Sequence, residues 1–342
     1  MTARFAQLDG ALGPWRPFRY DVAARLREPK WIVESLLAEE MILLLSGDSS
    51  AGKSYVSLAL AMAVLDGGRH WLGLPVAGPG RVLVVEGEMT AYDVEKRLRG
   101  FGLRDEHWDR LVYLDKSQAV ALDDTRQVEQ LLAVRDAFKP DLIVLDSVFS
   151  AAPTIDHNSN GAVSAFYRDT LRRLAASSSL LLLHHETKPG DHGRGRSEYA
   201  ATGARAWAHQ ADRHLTLAAK GDKEVSLETL PDGRVRRTYA IELDSGKART
   251  ALKPRLELVI ETVDDADGNT LSTDVRVVGE RQRRNRSDRS DRIVAALGEQ
   301  GPKRRKDLAD ACGGEGGSFD RALRALCDSG SVMRDGERFR LA

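Results

Sequence analysis

Along the first 260 positions, apolar and polar residues fall in blocks rather than in strict alternation. Short runs at 41–45, 81–85, 111–114, 142–145 and 180–183 are almost wholly aliphatic and are bounded by turn-forming residues. A run with no polar face reads as a strand covered on both sides, as in a parallel sheet. Between these runs, residues 55–65, 91–101, 125–138 and 162–176 repeat apolar side chains at helical spacing. Strands and helices therefore alternate, which predicts an α/β sheet with helices on both faces.

The texture changes after Ala200. Shorter, more polar β-rich pieces at 213–218, 224–229, 235–243 and 256–263 are punctuated by Pro231-Asp232-Gly233 and Asp267-Gly268-Asn269. Such turns predict hairpins that extend the sheet with antiparallel strands. Residues 279–291, G-E-R-Q-R-R-N-R-S-D-R-S-D, carry no large apolar side chain and are expected to be a basic linker. Three helices (292–297, 304–311 and 319–329) and two strands around Asp335-Gly336 follow, an order that resembles a winged helix-turn-helix. The expected organisation is an N-terminal arm (1–30), a core (31–278), the linker and a small domain (292–342).

Composition narrows the function classes. A chain of 342 residues, 42% of them hydrophobic, can bury one large core and still supply a small second domain. Lys plus Arg equals Asp plus Glu at 51 each, so no overall field draws the protein to nucleic acid or to a membrane. No run approaches the length of a membrane span, and residues 1–20 lack the pattern of a secretory signal, so a cytoplasmic protein is expected. Cys312 and Cys327 have no partners at metal-ligand spacing and read as helix-packing residues.

The chemistry starts at Gly47-Asp48-Ser49-Ser50-Ala51-Gly52-Lys53-Ser54, which fits G-x-x-x-x-G-K-S between an apolar run and a helical pattern. In that setting backbone N–H groups of the loop, through Tyr55, close around phosphates at a helix N-terminus. Lys53 neutralises the β and γ oxygens of ATP and Ser54 coordinates Mg²⁺. Asp146 ends the strand at 142–145 and is the candidate second Mg²⁺ residue, while helix capping is its alternative role. The run at 81–85 leads into Glu86-Gly87-Glu88, which offers a base for the attacking water; Glu88, just beyond the strand, is preferred to Glu86. His184 and His185 end another strand, and their side chains should point to opposite faces, which argues against a shared metal.

Taken in order, the P-loop, E-G-E, L-I-V-L-D-S and L-L-L-L-H-H-E-T-K resemble the RecA-like ATPases, and among them the RepA-type hexameric replicative helicases of plasmids and phages. The resemblance spans about residues 28–262. It implies a RecA-like P-loop NTPase fold, assembly into a ring homo-oligomer (a hexamer), ATP and Mg²⁺ held between subunits, and movement along single-stranded DNA. A replication initiator or a primase is implied as a further partner. By motif position, Lys53 and Ser54 take the P-loop roles, Asp146 the Walker B role, Glu88 that of the catalytic carboxylate and His185 that of the phosphate sensor.

Two parts of that pattern are not matched cleanly. Thr202 stands where relatives often carry Arg, so the cation donated by a neighbouring subunit falls to Lys247 or Arg249 in S-G-K-A-R, with Arg205 in competition. Residues 189–196, P-G-D-H-G-R-G-R, suit a DNA-binding loop through Arg194 and Arg196, or else a plain surface loop. Between 281 and 306 there are ten Lys or Arg and three acids, so the C-terminal part is locally basic, with Arg304, Arg305, Arg321 and Arg324 as candidate DNA contacts. The functions that follow are an ATP-driven helicase or translocase of plasmid, prophage or mobile-element replication, or an ATP-dependent regulator or loader that does not unwind DNA. A kinase on the same core would need a protein hydroxyl placed to receive phosphate.

Overall fold

The computed structural model describes residues 28–185, 205–219, 226–245, 255–281, 293–298, 301–312, 317–329 and 331–341. The five apolar runs become β1 (Ile42–Gly47), β2 (Val82–Glu86), β3 (Leu111–Leu114), β4 (Leu142–Asp146) and β5 (Ser179–His185). Every residue of β1, β2 and β4 is buried, which is why these segments show no polar face. The later pieces form β6 (Arg213–Ala219), β7 (Ser226–Thr229), β8 (Val235–Asp244), β9 (Arg255–Asp264) and β10 (Thr270–Arg281). All ten join one sheet in the order β10-β9-β8-β6-β1-β5-β4-β2-β3, with β7 paired to β8. From β6 to β3 every neighbour is parallel; from β6 through β8 and β9 to β10 the sheet continues antiparallel.

Alternation along β1 sends Leu43 and Leu45 to one buried layer and Ile42 and Leu44 to the other. The first layer is closed by α1 (Lys53–Asp66) and α2 (Ala91–Gly100), the second by α3 (Thr125–Phe138) and the helical stretch that begins at Asn160. This is the mostly parallel, two-layered architecture of a RecA-like P-loop NTPase. The strand order places β5 between β1 and β4, so three strand ends converge on one edge, where ligands of open α/β sheets bind.

Three expectations change. The helix over 162–176 is instead Asn160–Phe166, a wide π turn at Tyr167–Leu171, and Arg172–Ala175. Periodicity cannot detect this widening; Tyr167, at its start, is buried and donates its hydroxyl to the Trp207 carbonyl at 2.9 Å. The linker cannot begin at 279, because Gly279 to Arg281 belong to β10 and stay in register with β9 as far as Arg255↔Arg281. An edge strand is held by its backbone ladder and does not need apolar side chains to declare itself. The third difference lies near the C-terminus. There β11 (Lys303–Arg304) adds to the expected ribbon of β12 (Val332–Asp335) and β13 (Arg338–Leu341), giving a three-stranded sheet in the order β11-β13-β12.

Helical residues 293–298, α4 (Arg305–Ala311) and α5 (Gly317–Asp328) pack around Ile293, Leu297, Leu308, Phe319 and Val332. This core shares no residue with the two layers of the large sheet. Cys312 and Cys327 both pack in it. No helix among the described residues is long and apolar enough to cross a membrane.

Candidate active site

The loop between β1 and α1 is shaped by what presses on it. A Cβ on Gly47 would stand 2.4 Å from the Leu217 carbonyl oxygen, so β6 passes too close for any side chain. Gly52 has φ 83°, and a Cβ there would lie 2.6 Å from the Cδ1 atoms of Ile241 and Ile260. Gly47 is therefore required by the close approach of β6, and Gly52 by its left-handed turn and by the side chains of β8 and β9 packed on it. Lys53 is buried, and its Nζ donates to the carbonyls of Gly47 and Asp48 at 2.9 Å each. This anchors the ammonium beneath the loop, whose N–H groups open at the N-terminus of α1.

Asp146 ends β4 and meets the Ser54 hydroxyl by a hydrogen bond. Burial pushes its carboxyl up to about 6. A hydroxyl and a carboxylate held together are the hard oxygen donors that suit Mg²⁺, so Ser54 and Asp146 fit the ion. When bound there, Mg²⁺ would neutralise charge on the phosphate oxygens.

Glu88 and Glu86 take different places. The Glu88 carboxylate receives hydrogen bonds at one oxygen from His185 Nε2 at 2.8 Å and from the Ser147 hydroxyl at 2.7 Å, and it is partly open to the cavity. The His185 bond is the main reason its pKa is lowered, and Ser147 adds to it. On its other side His185 presents Nδ1 to Lys53 Nζ at 3.3 Å. Lys53, His185, Glu88 and Ser147 thus form one polar chain across the ends of β1, β5, β2 and β4. Glu86 is instead buried at the end of β2, where enclosure first and Asp146 second push its carboxyl up to about 8. Of the pair, Glu88 lines the cavity beside the loop and Glu86 does not.

That cavity, of about 420 Å³, is bounded by loop residues 49–55 and by side chains that no motif announced. Arg97 on α2 lies over the Tyr55 ring at 4.6 Å, and Tyr239, Ile241 and Ile260 supply an apolar wall. Phosphate donors at one end and aromatic and aliphatic surface at the other match a nucleotide, with a charged tail and a flat base. Only the β-rich texture near Tyr239 hinted at such a wall, and Ser147 is visible only as the residue after Asp146.

Neighbouring side chains on β5 part as strand geometry requires. His185 faces the loop, whereas His184 is buried against Phe149 at 4.9 Å and Trp207 at 5.0 Å, centroid to centroid. Burial is the main cause that lowers His184 to about 3. Arg205 is exposed at the start of the short helix Ala206–Gln210 and does not line the cavity of its own chain. Lys247, Arg249, Arg194 and Arg196 lie outside the described residues. Arg304, Arg305, Arg321 and Arg324 are exposed on the C-terminal unit, with Arg305 paired to Asp320 at 2.8 Å.

A family model described as an AAA domain, AAA_25, matches residues 16–191, from before the sheet to beyond β5. The chain belongs to this AAA-domain family. The match takes in the P-loop, Glu88, Asp146 and His185, the four points joined at the site. Among solved structures, a KaiC-like protein from the hyperthermophilic archaeon Pyrococcus horikoshii OT3 is similar at 14% identity and a TM-score of 0.43, over 72% of this chain and 94% of that one. Those figures are too low to bear on what the chain does. No curated protein matches it in sequence. This AAA domain is a RecA-like P-loop ATPase by its sheet order and its loop.

Proposed function

We propose that this AAA-domain protein is an ATP-hydrolysing DNA helicase or translocase, working as a ring on single-stranded DNA in the replication of a plasmid, prophage or other mobile element. The observation that carries the reading is the polar chain Lys53–His185–Glu88, with contacts of 3.3 and 2.8 Å. Lys53 would meet the γ-phosphate and Glu88 would take a proton from the attacking water. The bond from γ-phosphorus to the bridging oxygen then breaks, leaving ADP and phosphate. His185 touches both groups and also ends β5, whose continuation contains Arg194 and Arg196. In this reading a change at the γ-phosphate is felt at His185, which stands nine positions before Arg194 in the sequence. The RepA-type motif order supports the same branch.

In this reading the site is completed by a cation from the next subunit, with Lys247, Arg249 and Arg205 as candidates. A ring, with six copies as the expected number, is then a requirement of turnover. The C-terminal unit, with its own core, three helical segments and small sheet, is read as a winged helix that uses Arg304, Arg305, Arg321 and Arg324 on DNA. A replication initiator or primase would recruit the ring within the cytoplasm. The C-terminal unit, with a core of its own, equally suits an ATP-dependent regulator or loader.

Separation of a forked duplex distinguishes these functions. The wild type should unwind it with ATP and Mg²⁺, and Lys53→Ala and Glu88→Gln should not. Robust ATP turnover without strand separation, at any salt concentration or fork geometry, would replace the helicase reading with that of the regulator.

A further inference from the structure

Glu86 has no part in the chemistry above, yet its side chain bonds the turn that carries the group that does. It closes β2, is 2% exposed, and its Oε1 accepts hydrogen bonds from the backbone N–H groups of Glu88 at 2.7 Å and Met89 at 2.9 Å. The ladder between β2 and β4 ends at the pair Glu86↔Asp146, so no strand neighbour receives those two N–H groups. The residue between is equally confined. Gly87 donates its N–H to the Asp146 carbonyl at 2.7 Å, and a Cβ on it would stand 2.2 Å from Ser150 Oγ. From that side Ser147 reaches the Glu88 carboxylate at 2.7 Å, while Ser150 Oγ bonds the Ser147 N–H at 3.1 Å and its carbonyl at 2.9 Å. The Glu88 carboxylate is therefore aimed by Ser147 and His185, and its backbone is fixed by the side chain of Glu86.

We propose that Glu86 is a positioning residue. It holds the turn at 87–89 so that the Glu88 carboxylate faces the phosphate loop, and it acts as a hydrogen-bond acceptor rather than as a charge. The inference rests on the reading of Glu88 as the base. A base moved by about 1 Å typically loses on the order of 10²-fold in rate while the substrate still binds, so the effect should fall on kcat and spare KM.

Three single variants and one double test this: Glu86→Gln keeps the acceptor, Glu86→Met keeps the size without it, Glu88→Gln removes the base, and the double joins Glu86→Met to Glu88→Gln. ATP turnover and backbone amide exchange over residues 86–90 are measured on each. Glu86→Gln should stay within roughly 3-fold of wild-type kcat, and Glu86→Met should lose roughly 30-fold or more with KM within about 2-fold. Exchange at Glu88 and Met89 should quicken in Glu86→Met and not in Glu86→Gln. Glu86→Met added to Glu88→Gln should cost nothing further. Wild-type kcat in Glu86→Met, unchanged exchange, or an equal loss in Glu86→Gln overturns the proposal. If Glu86→Met does not fold, Glu86→Gln decides: near wild-type turnover supports the acceptor role, and a loss beyond about 10-fold rejects it. Should Glu88→Gln keep wild-type turnover, the assignment of the base fails instead.

Discussion

The pKa of Glu88 is lowered chiefly by the bond from His185 and next by the Ser147 hydroxyl. A base must be unprotonated to act, so turnover should persist below the pH at which an ordinary carboxylate would take up a proton. Ser147→Ala removes one of the two donors, and the acidic limb of its kcat profile should move to higher pH than in the wild type. A limb that does not move would mean that another group controls it. At Gly52, φ 83° and the 2.6 Å approach to Ile241 and Ile260 leave no room for a methyl group. Gly52→Ala should weaken nucleotide binding by at least about 10-fold, given roughly 1–2 kcal/mol of backbone strain before any clash, as titration with a fluorescent nucleotide would show. The P-loop and Glu88 were legible because a motif or a strand end fixes their position. Arg97, Tyr239 and Ser147 were not, since they reach the site from distant elements with no shared spacing.

Among the elements, β5 carries two histidines with opposite fates. Burial keeps His184 neutral in the folded chain down to about 3, whereas the unfolded chain protonates it near the ordinary histidine value of 6.5. Stability from this residue is therefore complete above about pH 6.5 and falls as the pH drops, by about 1.4 kcal/mol per unit until the folded pKa is reached. Between pH 7 and pH 5 the wild type should lose roughly 2 kcal/mol from this source, and His184→Phe, which keeps the aromatic packing, should not. Urea unfolding at the two pH values gives the comparison; equal losses would show that His184 does not drive the change. Buried parallel strands were the most legible elements because both faces are apolar. β10 was hidden because an edge strand alternates polar and apolar residues and ends in Arg281, and the π turn because a widened helical turn leaves the residue types unchanged.

Across the whole molecule, charge is balanced but unevenly placed, and the C-terminal unit carries an exposed arginine set on a core of its own. If that unit contacts phosphates, replacing Arg321 and Arg324 by Ala should flatten the slope of log affinity against log salt by up to about 1.8, with little change in sequence preference. An unchanged slope would direct those residues to a protein partner. The run before the C-terminal core carries no large apolar side chain, and the large sheet extends further into that run than polarity alone implied. How copies assemble was not legible in the same way, because the cation expected from a neighbour has no fixed motif in this chain.

In the proposed function the γ-phosphate and DNA communicate through His185, which touches both Lys53 and Glu88. The most direct measurement is the rate of ATP hydrolysis with and without single-stranded DNA, in the wild type and in His185→Ala. DNA should accelerate the wild type several-fold, and His185→Ala should still bind ATP but no longer respond to DNA. A wild type indifferent to DNA, or an equal response in His185→Ala, would contradict it.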